Sequence, residues 1–416
     1  MATAKIGRRA ALRTTLGTAL ALPALNVRAQ AAPVTLISHR YPALEWYADK
    51  MKSALPGVTV DARLMPSGDA GQLQRLQFSS ASPGMDILWL NGSLMAFYAK
   101  NGWIEPLDDL IAKFKDEYKL ADINPTSLKG LSYDGKVYGL PLTTNTLMYA
   151  YREDVFSERK LQPPTTWEQQ VEIARQLHSP RRSGTTLSLK WDMPPYELSS
   201  VLNTVGDGWF DKDWRPTFQS EKGQKAIDLY RRLSAYAVPG FTSQANDENT
   251  VNFAQDVAAT GQQWATRCAT MDNPQRSKVV GKIQWAVPPG GRQALSTDGY
   301  AISKFSTKNK EMLFRILAKS LDEDSQRGAA DLATPTRRAV LNDPAIQARF
   351  RWYPAVSKCL DVGEPLPALA EFNEAGELAC KRIVQAIVGQ MPVKEALTTG
   401  AAEVTELLTR RGYYRG

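Results

Sequence analysis

Val34-Thr-Leu-Ile-Ser38 is a short apolar, β-branched run, and it reads as a buried strand. A helix follows, with apolar residues at Leu44, Tyr47, Met51 and Leu55, and Pro56-Gly57 stops it. Val58-Thr-Val-Asp-Ala-Arg-Leu64 alternates as a second strand. Residues 67–78 then predict a second helix, and Met85-Asp-Ile-Leu-Trp-Leu90 a third strand. Strands alternating with helices imply βαβ units on a largely parallel sheet, the α/β class. In open sheets of this kind ligands gather beyond the carboxyl ends of the strands. That directs attention to residues 38–41, 66–69 and 90–93.

Outward from this stretch, helical periodicity returns at residues 168–177, 223–236, 310–321 and 371–388. A last helix is expected over residues 392–408, its apolar stripe formed by Val393, Leu397, Val404 and Leu408. No solenoid repeat or low-complexity tract breaks the pattern. No later run approaches the ~18 apolar residues of a membrane-spanning helix.

The chain begins with Lys5, Arg8, Arg9 and Arg13, continues through a weakly apolar run over residues 14–25, and reaches Ala29-Gln30-Ala31. That is the order of an export signal, and Arg8-Arg9 followed by Leu12-Arg13 resembles the twin-arginine type. Removing residues 1–31 takes away five basic and no acidic residues, so the formal charge falls from +8 to +3. The basic character is thus largely a property of the leader, and no nucleic-acid footprint is read in it. About 385 residues remain of 416, more than one core usually supports, so two lobes are expected. Three cysteines allow a local Cys359–Cys380 bridge or three unpaired thiols, and sequence supplies no geometry to choose between them.

Two histidines, His39 and His178, leave little for a histidine-based triad or metal site. His178 reads as a surface residue at a helix end. His39, at a strand's carboxyl end, is a cleft contact or a structural loop residue. GxSxG, HExxH, GxxxxGK[ST] and CxxC are all absent. A pair of carboxylates working as an exported glycosidase is not excluded by any pattern and stands as the enzyme alternative.

Three longer stretches are more specific. The first is Tyr133-Asp-Gly-Lys-Val-Tyr-Gly-Leu-Pro-Leu-Thr-Thr-Asn-Thr-Leu-Met-Tyr-Ala-Tyr-Arg-Glu-Asp-Val-Phe156. Its Asp134-Gly135 predicts a tight hairpin with a returning strand over residues 136–140. The second runs from Pro163 to Leu177, where Pro-Pro sets the entry, Thr165 or Thr166 caps, and Trp167 packs the first helical turn. The third is Pro392-Val-Lys-Glu-Ala-Leu-Thr-Thr-Gly-Ala-Ala-Glu-Val-Thr-Glu-Leu-Leu408. Between them lie Gly102-Trp-Ile-Glu-Pro-Leu107, Ser277-Lys-Val-Val-Gly-Lys-Ile283, Val287-Pro-Pro-Gly-Gly291, Asp298-Gly-Tyr-Ala-Ile302 and Thr334-Pro-Thr-Arg337. In this order the set resembles the extracellular solute-binding family of ABC importers, in its sugar-binding branch, across essentially the whole mature chain.

The resemblance implies an α/β, two-lobed periplasmic binding-protein fold, with a ligand cleft between lobes and crossover strands as the hinge. It places lobe one at residues 32–141 plus 299–333 and lobe two at residues 142–298 plus 334–416. The crossovers then fall near residues 140–144 and 296–300. It further implies a monomer in the periplasm with no cofactor, metal or nucleic acid. The ligand would be a sugar, polyol or sugar acid, passed to an ABC permease in the inner membrane; a non-sugar solute, either a polyamine or an organic anion, is the alternative. Trp264 occupies the position of the family's ligand-loop tryptophan, and Tyr300 that of a cleft tryptophan within a Gly-Gly-Trp. Trp191 is expected in the cleft beside them. Tyr41, Asp69, Asn91, Thr144, Asn145, Gln263, Asp298 and Arg337 are expected as hydrogen bonders, with Arg40 and Arg337 favouring an anion. Trp46, Trp103 and Trp285 are assigned to core, and Trp209 and Trp214 to a polar surface loop with packed aromatics.

Overall fold

The structure, a computed structural model, describes residues 32–190 and 193–414, with the backbone alone at Ser93. The expected leader over residues 1–31 and the expected cleft residue Trp191 lie outside the described residues.

The opening stretch folds as β1 (Val34–His39), α1 (Pro42–Lys52), β2 (Val60–Met65), α2 (Ser67–Ser79), β3 (Ile87–Asn91) and α3 (Gly92–Lys100). β1 pairs in parallel with both β2 and β3. Alternation sends Leu36 to one face and Ile37 to the other. Leu36 packs with Leu44, Tyr47, Trp89 and Phe314. Ile37 packs with Phe78, Leu88, Leu90 and Tyr98. Each fully buried side chain of this size contributes about 1.5–3 kcal/mol, so both faces are committed to core and only the strand ends stay open.

The second half adds β4 (Leu140–Arg152), α4 (Trp167–Leu177), β5 (Ser183–Thr186), α5 (Pro194–Thr204), α6 (Glu221–Ser234), β6 (Ala258–Trp264) and β7 (Ile283–Ala286). It continues through β8 (Ala294–Ile302), α7 (Lys310–Ser320), α8 (Phe372–Ile387) and α9 (Val393–Arg410). The main sheet runs β2-β1-β3-β8-β4-β6-β5, with β7 also on β4. β4 is 13 residues long and almost entirely buried. Its first half pairs antiparallel with β8, and its second half with β6 and β7. One strand therefore serves two packed bodies: Leu140 and Leu142 lie in the cluster around β1, Met148 and Ala150 in a cluster with Phe253 and Val356. The β4–β8 ribbon over residues 140–146 and 295–300 carries the chain between them, with a register shift between Asp298 and Gly299. Residues 329–341 cross again: Ala329 and Ala333 pack with the first body, Ala330 and Leu341 with the second.

Local expectations differ from the fold in instructive places. Asp134 and Gly135 both take positive φ (47° and 73°), as a tight hairpin needs, but the returning strand ends at Val137. Tyr138 N turns back to Leu131 O, and the chain enters the large sheet at Leu140 instead. Thr166 caps α4 through a reciprocal pairing with Gln169, and Trp167 packs on Tyr230. α8 and α9 pack on α6 around Tyr230, Ile383, Leu397 and Val404. Trp46 is half-buried, donating to Ser325 O with Lys50 over its ring, and Trp103 is half-buried against Phe78. The three cysteines are free and buried. The Cys359–Cys380 bridge does not form, because Cys359 sits in the cluster with Val356 and Cys380 in the α8–α9 core.

Candidate functional site

The open end of β3 and α2 form one wall of a cavity of about 660 Å³, lined there by Ser67, Gly68, Arg75, Trp89 and Asn91. The facing wall comes from the second body: Met193, Pro195 and Tyr196 at the start of α5, then Leu366 ahead of α8 and Phe372, Glu374 and Glu377 along it.

The sheet wall is fixed in detail. In the β3–β8 ladder Asn91 stands opposite Asp298 and Trp89 opposite Tyr300. Tyr41 Oη donates to Asp298 Oδ2 at 2.8 Å. His39 meets the Tyr41 and Trp89 rings edge-on at 5.3 and 5.2 Å. Asn91 caps α3, its Oδ1 accepting from Leu94 N at 3.0 Å. Its Nδ2 hydrogens remain unspent among the described contacts. Gln74 is fully buried and donates to Trp89 O (2.8 Å) and Ile37 O (3.3 Å), while its Oε1 accepts from Tyr98. That one amide ties α2 to the ends of β1 and β3.

Electrostatics follow from burial. Asp298 has no cationic partner among the described residues. Burial raises its carboxyl to about 6, while the Tyr41 hydroxyl and the neighbouring Trp89 indole act against that rise. The Trp89 N–H approaches this carboxyl but is buried without a hydrogen-bond partner of good geometry. Burial and the adjacent Asp298 push the Tyr41 phenol well up, and burial lowers the His39 imidazole. The site thus presents an acceptor, Asp298, beside one unspent donor, Asn91, with the buried Trp89 N–H behind them.

The structure brings Tyr41, Asn91, Asp298 and the buried Tyr300 together at the strand ends, and it carries other expected hydrogen bonders elsewhere. Asp69 is exposed in the first turn of α2. Thr144 is buried inside the crossover ribbon, its Oγ1 on Ser127 Oγ at 2.7 Å. Asn145 exchanges two hydrogen bonds with Thr266. Gln263 is buried, spending its amide on Thr250 Oγ1 and Trp264 N. Trp264 is 6% exposed and lies behind the cavity wall, meeting the lining residue Tyr196 edge-on with ring centroids 5.3 Å apart. Arg337 is 1% exposed, and its guanidinium donates to the carbonyls of Leu321, Lys119 and Tyr118. Arg40 is exposed and donates to Leu64 O. The expected basic cleft is therefore corrected: its charged lining is Arg75, Glu374 and Glu377, with Asp298 alongside.

Trp89, Tyr196, Phe372 and the two α8 glutamates were not foreseen. Trp89 was legible: the two-residue period of a strand puts it on the face of Asn91. Tyr196 follows Pro194-Pro195, a helix-start signal that places it in the first turn. Among the described residues no group of His, Cys, Asp and Glu is arranged to hold a metal ion. No helix among them is long and apolar enough to cross a membrane.

Comparison with known proteins gives this geometry a lineage. Residues 46–349 match the family described as bacterial extracellular solute-binding protein. The chain belongs to that family. Among relatives of this solute-binding protein is the mannitol-binding protein of Pseudomonas aeruginosa, 27% identical over 373 residues, covering 82% of this chain and 84% of the relative. Two solved structures share its two-lobed fold. The Agrobacterium radiobacter K84 ABC transporter solute-binding protein in complex with ribitol aligns at TM-score 0.77 and 24% identity, covering 91% of this chain and 99% of its own. The sugar-binding protein MalE of Xanthomonas citri aligns at TM-score 0.80 and 19% identity, covering 92% and 98%.

Proposed function

We propose that this chain is the periplasmic solute receptor of an ABC importer. It captures a neutral, hydroxyl-rich solute of polyol or monosaccharide size between the lobes and delivers it to an inner-membrane permease. The observation that carries this reading is the Trp89–Asp298–Asn91 group at the strand ends. A solute hydroxyl both donates and accepts, so one placed here gives its proton to the Asp298 carboxylate and accepts from the Asn91 N–H. Such a buried pairing left unmade costs about 1–3 kcal/mol, which makes the group selective. Trp89, Tyr196 and Phe372 offer ring surface for the C–H side of the solute. The cavity of about 660 Å³ has the volume of a small-molecule site. Mannitol and ribitol, named for a relative and a structural neighbour, are solutes of this chemistry. A sugar acid fits less well, because its carboxylate would meet Asp298 and the α8 glutamates.

In this reading lobe one is residues 32–141 plus 299–333, lobe two is residues 142–298 plus 334–416, and the β4–β8 ribbon is the hinge. Residues 1–31 direct export on the twin-arginine route, and replacing Arg8-Arg9 by Lys-Lys should abolish it. The binding test is calorimetry and thermal shift of residues 32–416 against ribitol, mannitol, monosaccharides and the matching sugar acids. Saturation by a neutral member of the panel is expected. Binding of the acids alone would overturn the solute class.

A further inference from the structure

Away from the crossing segments, the two lobes meet through side chains at the mouth of the cavity. Lys100, the last residue of α3, donates from Nζ to Glu371 Oε1 at 2.8 Å and to Tyr413 Oη at 2.9 Å. The same ammonium lies 4.1 Å from the centroid of the Tyr413 ring. Tyr413 Oη donates in turn to Glu371 Oε2, closing a three-membered ring of contacts. Glu371 keeps 13% of its side-chain exposure and Lys100 33%, so the ion pair is partly shielded from solvent. The other ion pairs joining the two bodies among the described residues, Arg327–Asp343 and Arg349–Asp331, flank the 329–341 crossing and hold it in place.

The chain end is built to present Tyr413. Gly412 takes φ 78°, which turns the backbone out of α9, and Tyr413 N returns to Leu408 O. Tyr414 anchors the turn, with its hydroxyl on Trp214 O at 2.5 Å and Arg215 over its ring at 5.0 Å. Both halves of the contact are also connected to the cavity. α3 is capped by the lining residue Asn91 and ends at Lys100, and Glu371 directly precedes the lining residue Phe372.

We propose that Lys100, Glu371 and Tyr413 form an interlobe latch that engages when the lobes close and sets how long a captured solute is held. Hinge opening separates α3 from the start of α8 and breaks both hydrogen bonds of Lys100 at once, while Tyr413 and Glu371 stay together on lobe two. A bound solute and the latch therefore favour the same closed arrangement and reinforce each other. The latch thus regulates the site proposed above and rests on that reading. It also assigns the Tyr413-Tyr414 pair a place at the cleft's rim.

The test uses residues 32–416 with ribitol and mannitol as probes. Lys100→Met should speed solute dissociation about fivefold or more, while Lys100→Arg retains most of the hold. Tyr413→Phe, which keeps the ring and loses the hydroxyl, should fall between. Adding Glu371→Gln to Lys100→Met should cost little more than either change alone, since both remove one pair. Additive effects, or dissociation unchanged in Lys100→Met, would overturn the latch. Small-angle scattering of the solute-free proteins separates this proposal from the binding assignment. If no solute binds but Lys100→Met is measurably more extended than the parent, the latch stands and the solute assignment falls. Equal radii of gyration in that case remove the latch too.

Discussion

The sheet wall and the helical wall of the cavity differ in what holds their side chains. On the sheet side, Trp89 and Asn91 stand in the β3–β8 ladder beside Asp298, Tyr41 locks the carboxyl, and Gln74 fixes the strand ends. On the helical side, Tyr196 follows two prolines at the start of α5, and Glu374 is held by Arg411 through an exposed pair at 3.0 Å. Exposed pairs of this kind are worth about 0–1 kcal/mol, so they position loosely. In the proposed reading, polar recognition therefore belongs to the wall that is preorganised before the solute arrives. In the same reading, the helical wall contributes surface and moves with its lobe.

The sharpest contrast places a residue on neither wall. Arg337→Met strips one buried and two part-buried carbonyls of their donor and should cost about 3 kcal/mol or more in chemical denaturation, yet change solute affinity less than about twofold. A large affinity loss with intact stability would return Arg337 to the binding site. Next in size, Asp298→Ala should weaken polyol binding by about 30-fold or more by calorimetry, against about fivefold for Phe372→Ala on the helical wall. The reverse ranking would break the comparison between walls.

A smaller effect comes from pH. Asp298 titrates near 6 in the solute-free fold, above its ordinary carboxylate value, so a solute needing its charged form should bind more weakly as pH falls from 7 to 5. Asp298→Asn should flatten that profile. Stability has the opposite sign. A carboxyl raised by burial costs most when ionised, so this cost is present above pH 6 and fades towards pH 4. Glu197, raised by burial to about 8, contributes in the same sense as pH falls through 8. Solute-free protein should thus gain stability from these two groups on mild acidification, and Glu197→Gln should remove the higher-pH part. The smallest change is Tyr41→Phe, which removes a hydrogen bond to the ionised carboxyl and should move the midpoint of the affinity profile upward.

Much of the framework was legible locally. Strand and helix periodicity located β1, β2, α2 and β3 within about two residues, because apolar alternation acts over a few residues. α1 ends at Lys52, short of the Pro-Gly stop, and α3 was not predicted. The strand-end rule directed attention to Tyr41 and Asn91 for the same reason, and parity within β3 contained Trp89. The residues assigned elsewhere share another property. Thr144, Gln263 and Arg337 are polar side chains whose types suit a sugar site equally well as a buried backbone brace. Chain position does not say which partner lies across the fold.

By itself the sequence determined the α/β class, the periodic elements, the family pattern spread along the chain and the absence of familiar catalytic motifs. Tertiary structure alone decided the sign of charge in the cavity, the fate of the cysteines and the pairing of Lys100 with a tail more than 300 residues away. The physical reason is range. Periodicity and caps are set by neighbours three or four residues apart. Burial, desolvation and the choice of hydrogen-bond partner depend on which distant surfaces the β4–β8 ribbon brings face to face.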